Sequence, residues 1–157
     1  MNKKKVNGTE GKVELLFDNP ARNEIELAYM AGIIDGEGSI SISGKGVLTM
    51  SIFMTHKETI AWLAKKLGAR TVFTSRTKLA RKDAYSINIC GKNAKAIIEQ
   101  IKPYMITKKA QAELAMAYPI LIQGQHTTDD YTKLSRKVIK NAMDKLNNSW
   151  QYRRRNI

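Results

Sequence analysis

Cysteine, proline and acidic residues are scarce in this 157-residue chain, which has one cysteine and three prolines. The single cysteine, Cys90, excludes an internal disulfide and fits a reducing compartment, and we expect it to be a small buried strand residue. No apolar run approaches the length that spans a bilayer, and the basic N-terminus lacks the apolar segment of a secretory signal. The sequence thus predicts a protein that is neither secreted nor embedded in a membrane.

The shortage of acidic residues leaves a large positive charge. Lys and Arg number 27 against 14 Asp and Glu, which gives a formal net charge of +13. Self-repulsion of this size destabilises a compact fold unless a polyanion neutralises it, and nucleic acid is the strongest candidate. An anionic membrane surface fits less well, because no segment pairs a basic face with a broad apolar one. Single-stranded RNA is usually bound by exposed aromatic side chains. Aromatic residues make up only 7% of this chain, so duplex DNA is favoured over RNA.

Length and hydrophobic periodicity predict one core with an extension at each end. We predict an N-terminal arm at 1–23, a core domain at 24–122 and a helical, basic extension at 123–157. Helical spacing, with Asn23 as a cap and Gly36 as a stop, predicts helices near 23–35, 57–67, 94–101, 107–118 and 134–146. Two-residue alternation predicts strands near 39–43, 47–55, 70–76 and 84–90. The expected class is α+β with an antiparallel sheet.

Both predicted hairpins are apolar on one face and polar on the other. A solvated sheet face is one interpretation of the polar side, but solvent-facing strands usually carry Lys and Glu, and this face has almost no acids. A twisted antiparallel ribbon fits the major groove of duplex DNA, where such side chains can contact base edges. The candidate base-contacting residues are Ser39, Ser41, Ser43, Thr49, Ser51, Phe53, Thr74, Arg76, Ser86 and Asn88.

The phase of each strand decides which of these side chains share the polar face, because a slip of one residue inverts the whole set. In residues 71–76 either Val72 or Phe73 could be the buried side chain. Basic residues lie at the margins of the polar face: Lys45, Arg70, Arg76, Lys78, Arg81 and Lys82. Lys78, Arg81 and Lys82 are the ones expected to hold phosphates.

The segment from Met30 to Gly38, Met-Ala-Gly-Ile-Ile-Asp-Gly-Glu-Gly, ends an apolar helix with two carboxylates, Asp35 and Glu37. The apolar faces of such a helix must be packed against other parts of a protein. The acid at its end must then lie next to the group toward which the packed helix is directed. In a chain this basic, we expect that target to be a phosphate held through a metal ion.

This nonapeptide resembles the LAGLIDADG signature of homing endonucleases, with matches at Ala31, Gly32, Ile34, Asp35 and Gly38. The predicted order of elements over roughly 24–118 also resembles that family's αββαββα fold, which has a saddle-shaped antiparallel sheet with its helices on one face. The resemblance implies a sequence-specific double-strand DNA endonuclease that hydrolyses phosphodiester bonds. It also implies an intracellular protein of the compartment that holds its target genome. An intron-encoded gene is expected, with an intein or a free-standing gene as the open alternatives.

The resemblance further implies how such an enzyme assembles. In the family two signature helices pack at a two-fold or pseudo-two-fold axis, and this chain has only one signature, so the implied state is a homodimer on a pseudo-palindromic site. Ala28, Ala31 and Gly32 would permit close approach of the two helices. Asp35, the other acid of the signature, would lie near the helix end at this interface with a mainly structural role.

The implied catalytic residues follow from the same signature. Glu37 matches the family's metal ligand and the Gly36 carbonyl would add a second oxygen, a set suited to Mg²⁺, with Ca²⁺ or Mn²⁺ as substitutes. His56 lies where related enzymes orient the attacking water, so it is either a general base or a polar residue at the start of the next helix. Lys108, with Lys109 as its rival, matches a lysine near the scissile phosphate.

Two other functions remain open from the sequence. One is a binder on the same fold that has lost cleavage, acting as a DNA-binding regulator or as an RNA-splicing maturase. An acid at position 37 and a lysine at position 108 argue against lost chemistry, because a pure binder gains nothing from a carboxylate beside phosphate. The other is a basic ribosome-associated or RNA-binding structural protein, which explains the charge but not the signature.

Overall fold

The structure is a computed structural model that describes residues 13–14, 22–69, 71–75, 82–121 and 129–153. Four of the predicted DNA-binding residues, Arg70, Arg76, Lys78 and Arg81, lie outside the described residues, as does most of the predicted N-terminal arm.

The described residues form five α-helices, one short 3₁₀ helix and five strands. The helices are α1 (Glu24–Glu37), α2 (Lys57–Leu67), α3 (Gly91–Ile101), the 3₁₀ helix (Lys102–Tyr104), α4 (Lys109–Ala117) and α5 (Asp130–Arg153). The strands are β1 (Val13–Glu14), β2 (Gly38–Ile42), β3 (Leu48–Met54), β4 (Thr71–Ser75) and β5 (Ala84–Cys90).

The α+β class and the order helix, two strands, helix, two strands, helix are confirmed. The strands form an open antiparallel sheet in the order β1-β4-β5-β3-β2. The chain divides into two compact units, and both β3 and β5 pass from one unit to the other, at residues 51–52 and 88–89. The division of the chain into arm, core and extension stays a prediction.

The unit that holds residues 52–88 contains α2, β4 and most of β5. Helix α2 has its apolar residues at helical spacing, so Ile60, Leu63 and Leu67 are buried. Gly68 ends the helix in the left-handed conformation, with φ +65°, and donates its N–H to Ala64 O. These bounds agree with the predicted helix.

Strand β4 corrects the predicted phase of residues 71–76. Its register pairs Phe73 with Ser86 and Thr74 with Tyr85, antiparallel to β5. Directly paired residues share a face, so Phe73 lies on the face of Ser86, and Phe73 is 42% exposed. Thr74 lies on the opposite, more apolar face with Tyr85. Phe73 was one of two alternatives for the buried position, and the pairing with β5 rules it out.

The other unit, residues 22–51 and 89–153 among those described, contains most of the helical mass. Helix α1 contacts α3 and β2, and α5 contacts α4 and β2. Fully buried side chains fill this core: Met30, Ile34, Ile40, Leu48, Met50, Ile98, Ile101 and Tyr118. At about 1.5–3 kcal/mol for each large apolar side chain, this burial holds α1 in place.

Several predicted boundaries of this unit are wrong. Helix α1 continues through Gly36 to Glu37, because Gly38 is the residue that ends it. Helix α5 starts four residues earlier than the predicted 134 and runs to Arg153. Cys90 is exposed at the end of β5, where it is the N-cap residue of α3, so the expectation of a buried strand cysteine is wrong. In the part of the chain that the structure describes, no helix combines the length and apolar character needed to cross a bilayer.

Candidate active site

Helix α1 starts with a capping box and then presents two different sides. Asn23 Oδ1 accepts from Glu26 N at 2.8 Å, and Glu26 Oε2 accepts from Asn23 N at 3.3 Å. This pair confirms the predicted cap. Further along, Met30, Ala31 and Ile34 are 0% exposed. The cap and this buried side together fix where the far end of the helix lies.

At that far end the chain turns directly from helix into strand. The Gly38 backbone is extended, with φ −92° and ψ 171°, and its N–H donates to Ile34 O. A Cβ on Gly38 would lie 2.8 Å from Ile34 O and 2.9 Å from Ile34 Cα, so any other residue would force the turn apart. The last glycine of the signature thus permits the close contact that leaves Glu37 at the tip of α1.

Asp35 binds the backbone of a distant loop. Its Oδ2 accepts from Ile106 N at 2.7 Å and from Thr107 N at 3.1 Å, and its Oδ1 accepts from Lys108 N at 2.9 Å. The Lys108 ammonium returns to α1 by donating to the Asp35 carbonyl oxygen. We call Asp35 with residues 106–108 the Asp35 clamp. It brings Lys108 to the end of α1, whereas Lys109 is exposed and belongs to α4.

The electrostatics of the clamp follow from its geometry. Partial burial would raise the pKa of Asp35, but the hydrogen bonds from Ile106, Lys108 and Thr107 and the charge of Lys108 outweigh it and lower that pKa. Burial lowers the pKa of Lys108, and the charges of Asp35 and Glu37 oppose that shift. Lys108 therefore lies within electrostatic range of both acids of the signature.

Glu37 differs from Asp35 in being exposed. It is the last residue of α1, at the end of the helix where the peptide dipoles place partial negative charge and where the final carbonyls lack helical partners. The last turn contains no basic residue. A carboxylate beside helix-end carbonyls is a set of hard oxygen ligands that suits Mg²⁺ or Ca²⁺.

A single chain offers few side chains that could bind a metal ion at this helix end. Among the described residues, no group of three or more His, Cys, Asp or Glu side chains is placed to hold a metal ion. Glu37 and the Gly36 carbonyl fit a divalent ion as a partial set that further ligands would have to complete. Water, a phosphate oxygen or a second copy of the same helix end could do so.

The predicted dimer-interface residues are not all on one side of α1. Ala28 and Gly32 are exposed, together with Ile25, which is 82% exposed, and Gly36. These four residues share one helix side at i, i+3 and i+4 spacing. Ala31 is wholly buried in its own protomer, so its expected place at an interface is wrong. Asp35 faces residues 106–108 of its own chain.

His56 is the N-cap residue of α2. Its Nδ1 accepts from Thr59 N at 3.3 Å and lies 2.7 Å from Thr59 Oγ1, while its Nε2 lies 3.5 Å from Glu58 Oε2. The sequence left two alternatives for His56, a general base or a polar residue at the start of a helix, and the structure shows His56 at the start of α2. The general-base role stays a prediction, since His56 belongs to the other compact unit.

The polar strand residues are placed as follows. In β2 and the start of β3, Ser39, Ser41, Thr49 and Ser51 alternate with the buried Ile40, Ile42, Leu48 and Met50, as predicted. In the other unit, Phe53 is 54% exposed, Ser86 is partly exposed and Asn88 is exposed. Lys45 and Lys82 are exposed. The base contacts themselves stay predictions.

Ser43 lies in the turn after β2 rather than in a strand. Its N donates to Val47 O at 2.9 Å, its O accepts from Gly46 N at 2.8 Å, and its Oγ accepts from Val47 N at 3.1 Å. Sequence reasoning also missed the two side chains that converge on this turn from elsewhere, Tyr118 and Arg136. Nothing in a linear pattern links residue 46 to residue 136.

Comparison with known proteins supports the fold. No protein-family profile matches the chain, and no curated protein sequence matches it. One similar solved structure is the homing endonuclease I-CvuI in complex with its target in the presence of 2 mM Ca. Its TM-score is 0.59 and its identity 19%, over 78% of this chain and 82% of that one.

Two further solved structures give similar values. I-CvuI with an I-CreI target, in the presence of 2 mM Mg and with the DNA not cleaved, has a TM-score of 0.56 and 16% identity over 78% and 82% of the two chains. The archaeal intron-encoded homing endonuclease I-Vdi141I complexed with DNA has a TM-score of 0.59 and 18% identity over 78% and 84%. These neighbours are LAGLIDADG homing endonucleases, and this chain has their fold.

Proposed function

We propose that this chain is a metal-dependent DNA endonuclease that works as a homodimer and cuts both strands of a long, partly symmetric site. The observation that carries the proposal is the tip of α1, where the exposed Glu37 follows an exposed strip of small and apolar residues. The solved structures with this fold are homing endonucleases in complexes with DNA, two of them in the presence of Ca or Mg.

The exposed side of α1 supports the dimer. Ile25 is 82% exposed, and Ala28, Gly32 and Gly36 follow it along the same side. A Cβ at Gly32 or Gly36 would meet no atom within 4 Å in the protomer, so the fold of one chain does not require glycine there. Glycines on an exposed apolar helix side are suited to close approach by another backbone, and a second α1 is the simplest partner.

Such pairing would place two acids together. A two-fold axis that runs along α1 brings both C-terminal ends to the same side, and with them the two Glu37 carboxylates. Each carboxylate and its neighbouring Gly36 carbonyl would hold a divalent ion. When bound, that ion supplies Lewis-acid stabilisation of the phosphodiester and of the leaving oxygen.

The chain's own residues then have distinct roles. Glu37 holds the metal and faces the phosphate. Lys108, placed by the Asp35 clamp within range of Glu37, stabilises the negative charge that develops on the phosphate. Asp35 positions Lys108 and does not touch the substrate. A role of His56 toward the attacking water stays what the family resemblance implies.

Duplex DNA would be recognised by the polar strand faces and by positive charge. Ser39, Ser41, Thr49 and Ser51 carry hydroxyls on the less buried side of β2 and β3, and hydroxyls can donate to or accept from base edges. The net charge of +13 favours binding to the phosphate backbone in a salt-dependent way. Lys45 and Lys82 are exposed residues suited to phosphate contacts.

The test starts from a library of circular plasmids with randomised inserts. Wild-type protein with Mg²⁺ is expected to linearise a subset, and sequencing of the linear products gives the site. On a plasmid carrying that site, Glu37→Gln is expected to bind with wild-type affinity and to cleave about a thousandfold more slowly. Glu99→Gln removes another exposed carboxylate, on α3, and is expected to cleave at the wild-type rate.

Each result separates one part of the proposal from the others. Normal cleavage by Glu37→Gln would show that the metal role given to Glu37 is wrong. Tight, site-selective binding without cleavage by the wild type would identify a DNA-binding regulator. Preference for structured RNA over duplex DNA in a salt-titrated assay would identify a maturase. A monomer at all concentrations, with and without DNA, in analytical ultracentrifugation would exclude the homodimer.

A further inference from the structure

The turn between β2 and β3 is held by two side chains that meet on one carbonyl oxygen. Tyr118 donates its hydroxyl to Gly46 O at 2.8 Å, and Arg136 of α5 donates Nη2 to the same oxygen at 2.9 Å. The guanidinium also donates Nη1 to Pro119 O at 2.5 Å, and it lies 4.7 Å from the centroid of the Tyr118 ring. We call Gly46, Tyr118 and Arg136 the turn brace.

The turn is shaped to receive these two donors. Gly46 has φ +74°, in the left-handed region that favours glycine. A Cβ at this position would lie 2.6 Å from Arg136 Nη2 and 3.2 Å from the Tyr118 hydroxyl. Glycine at residue 46 thus answers two requirements at once, the backbone conformation and the space for the donors.

Helix α5 is fixed firmly enough to act as a support. Met143 is 0% exposed, and Asn147 Nδ2 donates to Ile40 O of β2 at 3.0 Å. The helix therefore holds the β2–β3 hairpin at two places, one on the strand and one on the turn. The guanidinium of Arg136 contacts two carbonyl oxygens and an aromatic ring. Arg136 can therefore affect the binding of a ligand only by fixing the conformation of the turn.

We propose that Arg136 is a positioning residue for nucleic-acid recognition, which fixes the β2–β3 turn so that Lys45 and its neighbours meet the duplex in one conformation. The inference rests on the proposed DNA-binding function. A turn with glycine at both 44 and 46 has many accessible conformations, and ordering it only when DNA binds would weaken binding. The brace orders the turn beforehand.

The brace itself can be tested without DNA. Hydrogen–deuterium exchange on the full-length free protein compares wild type with Arg136→Gln, Tyr118→Phe and Lys137→Gln, the last being the exposed neighbour of Arg136. The amides of Gly46 and Val47, bonded to Ser43, are expected to exchange about tenfold faster in Arg136→Gln and unchanged in Lys137→Gln. Equal exchange in all four proteins would overturn the brace.

The recognition role is tested by selecting bound duplexes from a randomised pool. Arg136→Gln is expected to lose base preference in one short block per half-site and to keep it elsewhere, whereas Lys137→Gln, which removes the same charge outside the brace, keeps the whole preference. Arg136→Lys keeps the positive charge but lacks the planar guanidinium that donates two hydrogen bonds at once. It is expected to retain part of the base preference, and it replaces Arg136→Gln in this test if that variant does not fold.

The outcomes distinguish this inference from the function on which it rests. A wild-type preference profile in Arg136→Gln, or a loss spread evenly over the site, would overturn the recognition role. If the wild type selects no duplex at all, the proposed function fails and the recognition role fails with it. The exchange measurement judges the brace in either case.

Discussion

The inward and outward sides of α1 are made of similar residues and have opposite surroundings. Inward, Met30 and Ile34 are fully buried, and Asp35 accepts hydrogen bonds from the backbone of residues 106–108. Outward, Ile25 is 82% exposed, and a Cβ added at Gly32 would meet no atom within 4 Å. The fold of a single chain explains the inward residues but not the small and apolar outward ones, for which we proposed a second α1 as the partner.

The same contrast separates the two acids, which are only two positions apart in the chain. Asp35 is bonded within the chain and holds the fold, whereas Glu37 is exposed and contributes no hydrogen bond among those between described residues. If this division is correct, substitutions on the inward side lower stability, and those on the outward side change assembly or chemistry instead.

The largest stability effect is expected for Asp35→Asn. The variant loses the charge and turns an amide N–H toward backbone donors, so its free energy of unfolding should fall by about 3 kcal/mol. Glu37→Gln, two positions on, should stay within about 0.5 kcal/mol of wild type. Urea denaturation measures the free energy of unfolding of both variants. Equal decreases for Asp35→Asn and Glu37→Gln would contradict the difference between the two acids.

The pH dependence gives an independent check on Asp35. Because its pKa is lowered in the folded state, the clamp contributes fully above the unfolded pKa, about 3.9, and is lost as pH falls through the lower folded value. The difference in stability between wild type and Asp35→Asn should therefore be constant from pH 7 to pH 5 and shrink toward pH 2. A difference that grows on acidification would contradict the assignment.

The next largest effect is expected for Gly38→Ala. The added Cβ would lie 2.8–2.9 Å from the Ile34 backbone, so the turn from α1 to β2 must shift, at a cost of about 2 kcal/mol. Gly36→Ala is the matched control, because that glycine is helical and has open space around it. Thermal unfolding compares the two, and a stable Gly38→Ala would show that this turn tolerates a side chain.

A smaller effect of opposite sign is expected for Gly32→Ala. In the protomer, alanine for an exposed helix glycine should raise stability by about 1 kcal/mol. If a second α1 packs on this side, the same methyl group should weaken the dimer, seen as a higher dissociation constant in ultracentrifugation. A gain in monomer stability with unchanged assembly would place the interface elsewhere.

The smallest effect is expected at His56, which caps α2. His56→Asn should retain the cap and stay within about 0.5 kcal/mol of wild type, whereas His56→Ala should cost about 1 kcal/mol. Cleavage by His56→Asn then isolates chemistry from folding. A rate close to wild type would limit His56 to the cap, and a large fall would support its role toward water.

The elements of this fold could be predicted from local patterns, but their contacts could not. Helix α2 and strand β5 have the predicted bounds, because a 3.6-residue or two-residue apolar period is a property of the segment itself. Strand β4 was ambiguous, because both Val72 and Phe73 are apolar and only pairing with β5 decides between them. The turn brace joins residues 90 positions apart, and no pattern in either segment indicates it.

The candidate site shows the same limit. The signature predicted a structural Asp35 and a catalytic Glu37. Asp35 does bind the backbone of its own chain, whereas the catalytic role of Glu37 stays a prediction. What the signature could not supply is the partner of Asp35, because the partner is three consecutive backbone N–H groups and backbone carries no sequence signal. Ala31 was misplaced for a related reason: small residues suit both a helix pair and a crowded core.

The use of main-chain donors in the Asp35 clamp has a consequence for redesign of this protein. The side chains of Ile106, 87% exposed, and Thr107 take no part in the bonds to the carboxylate. Nearly any amino acid can therefore occupy these two positions without moving the lysine that follows, proline being the exception because it has no N–H. They form a pair of mutable positions beside the proposed catalytic lysine, suited to saturation libraries that would tune product release or tolerance of flanking bases if the proposed function holds.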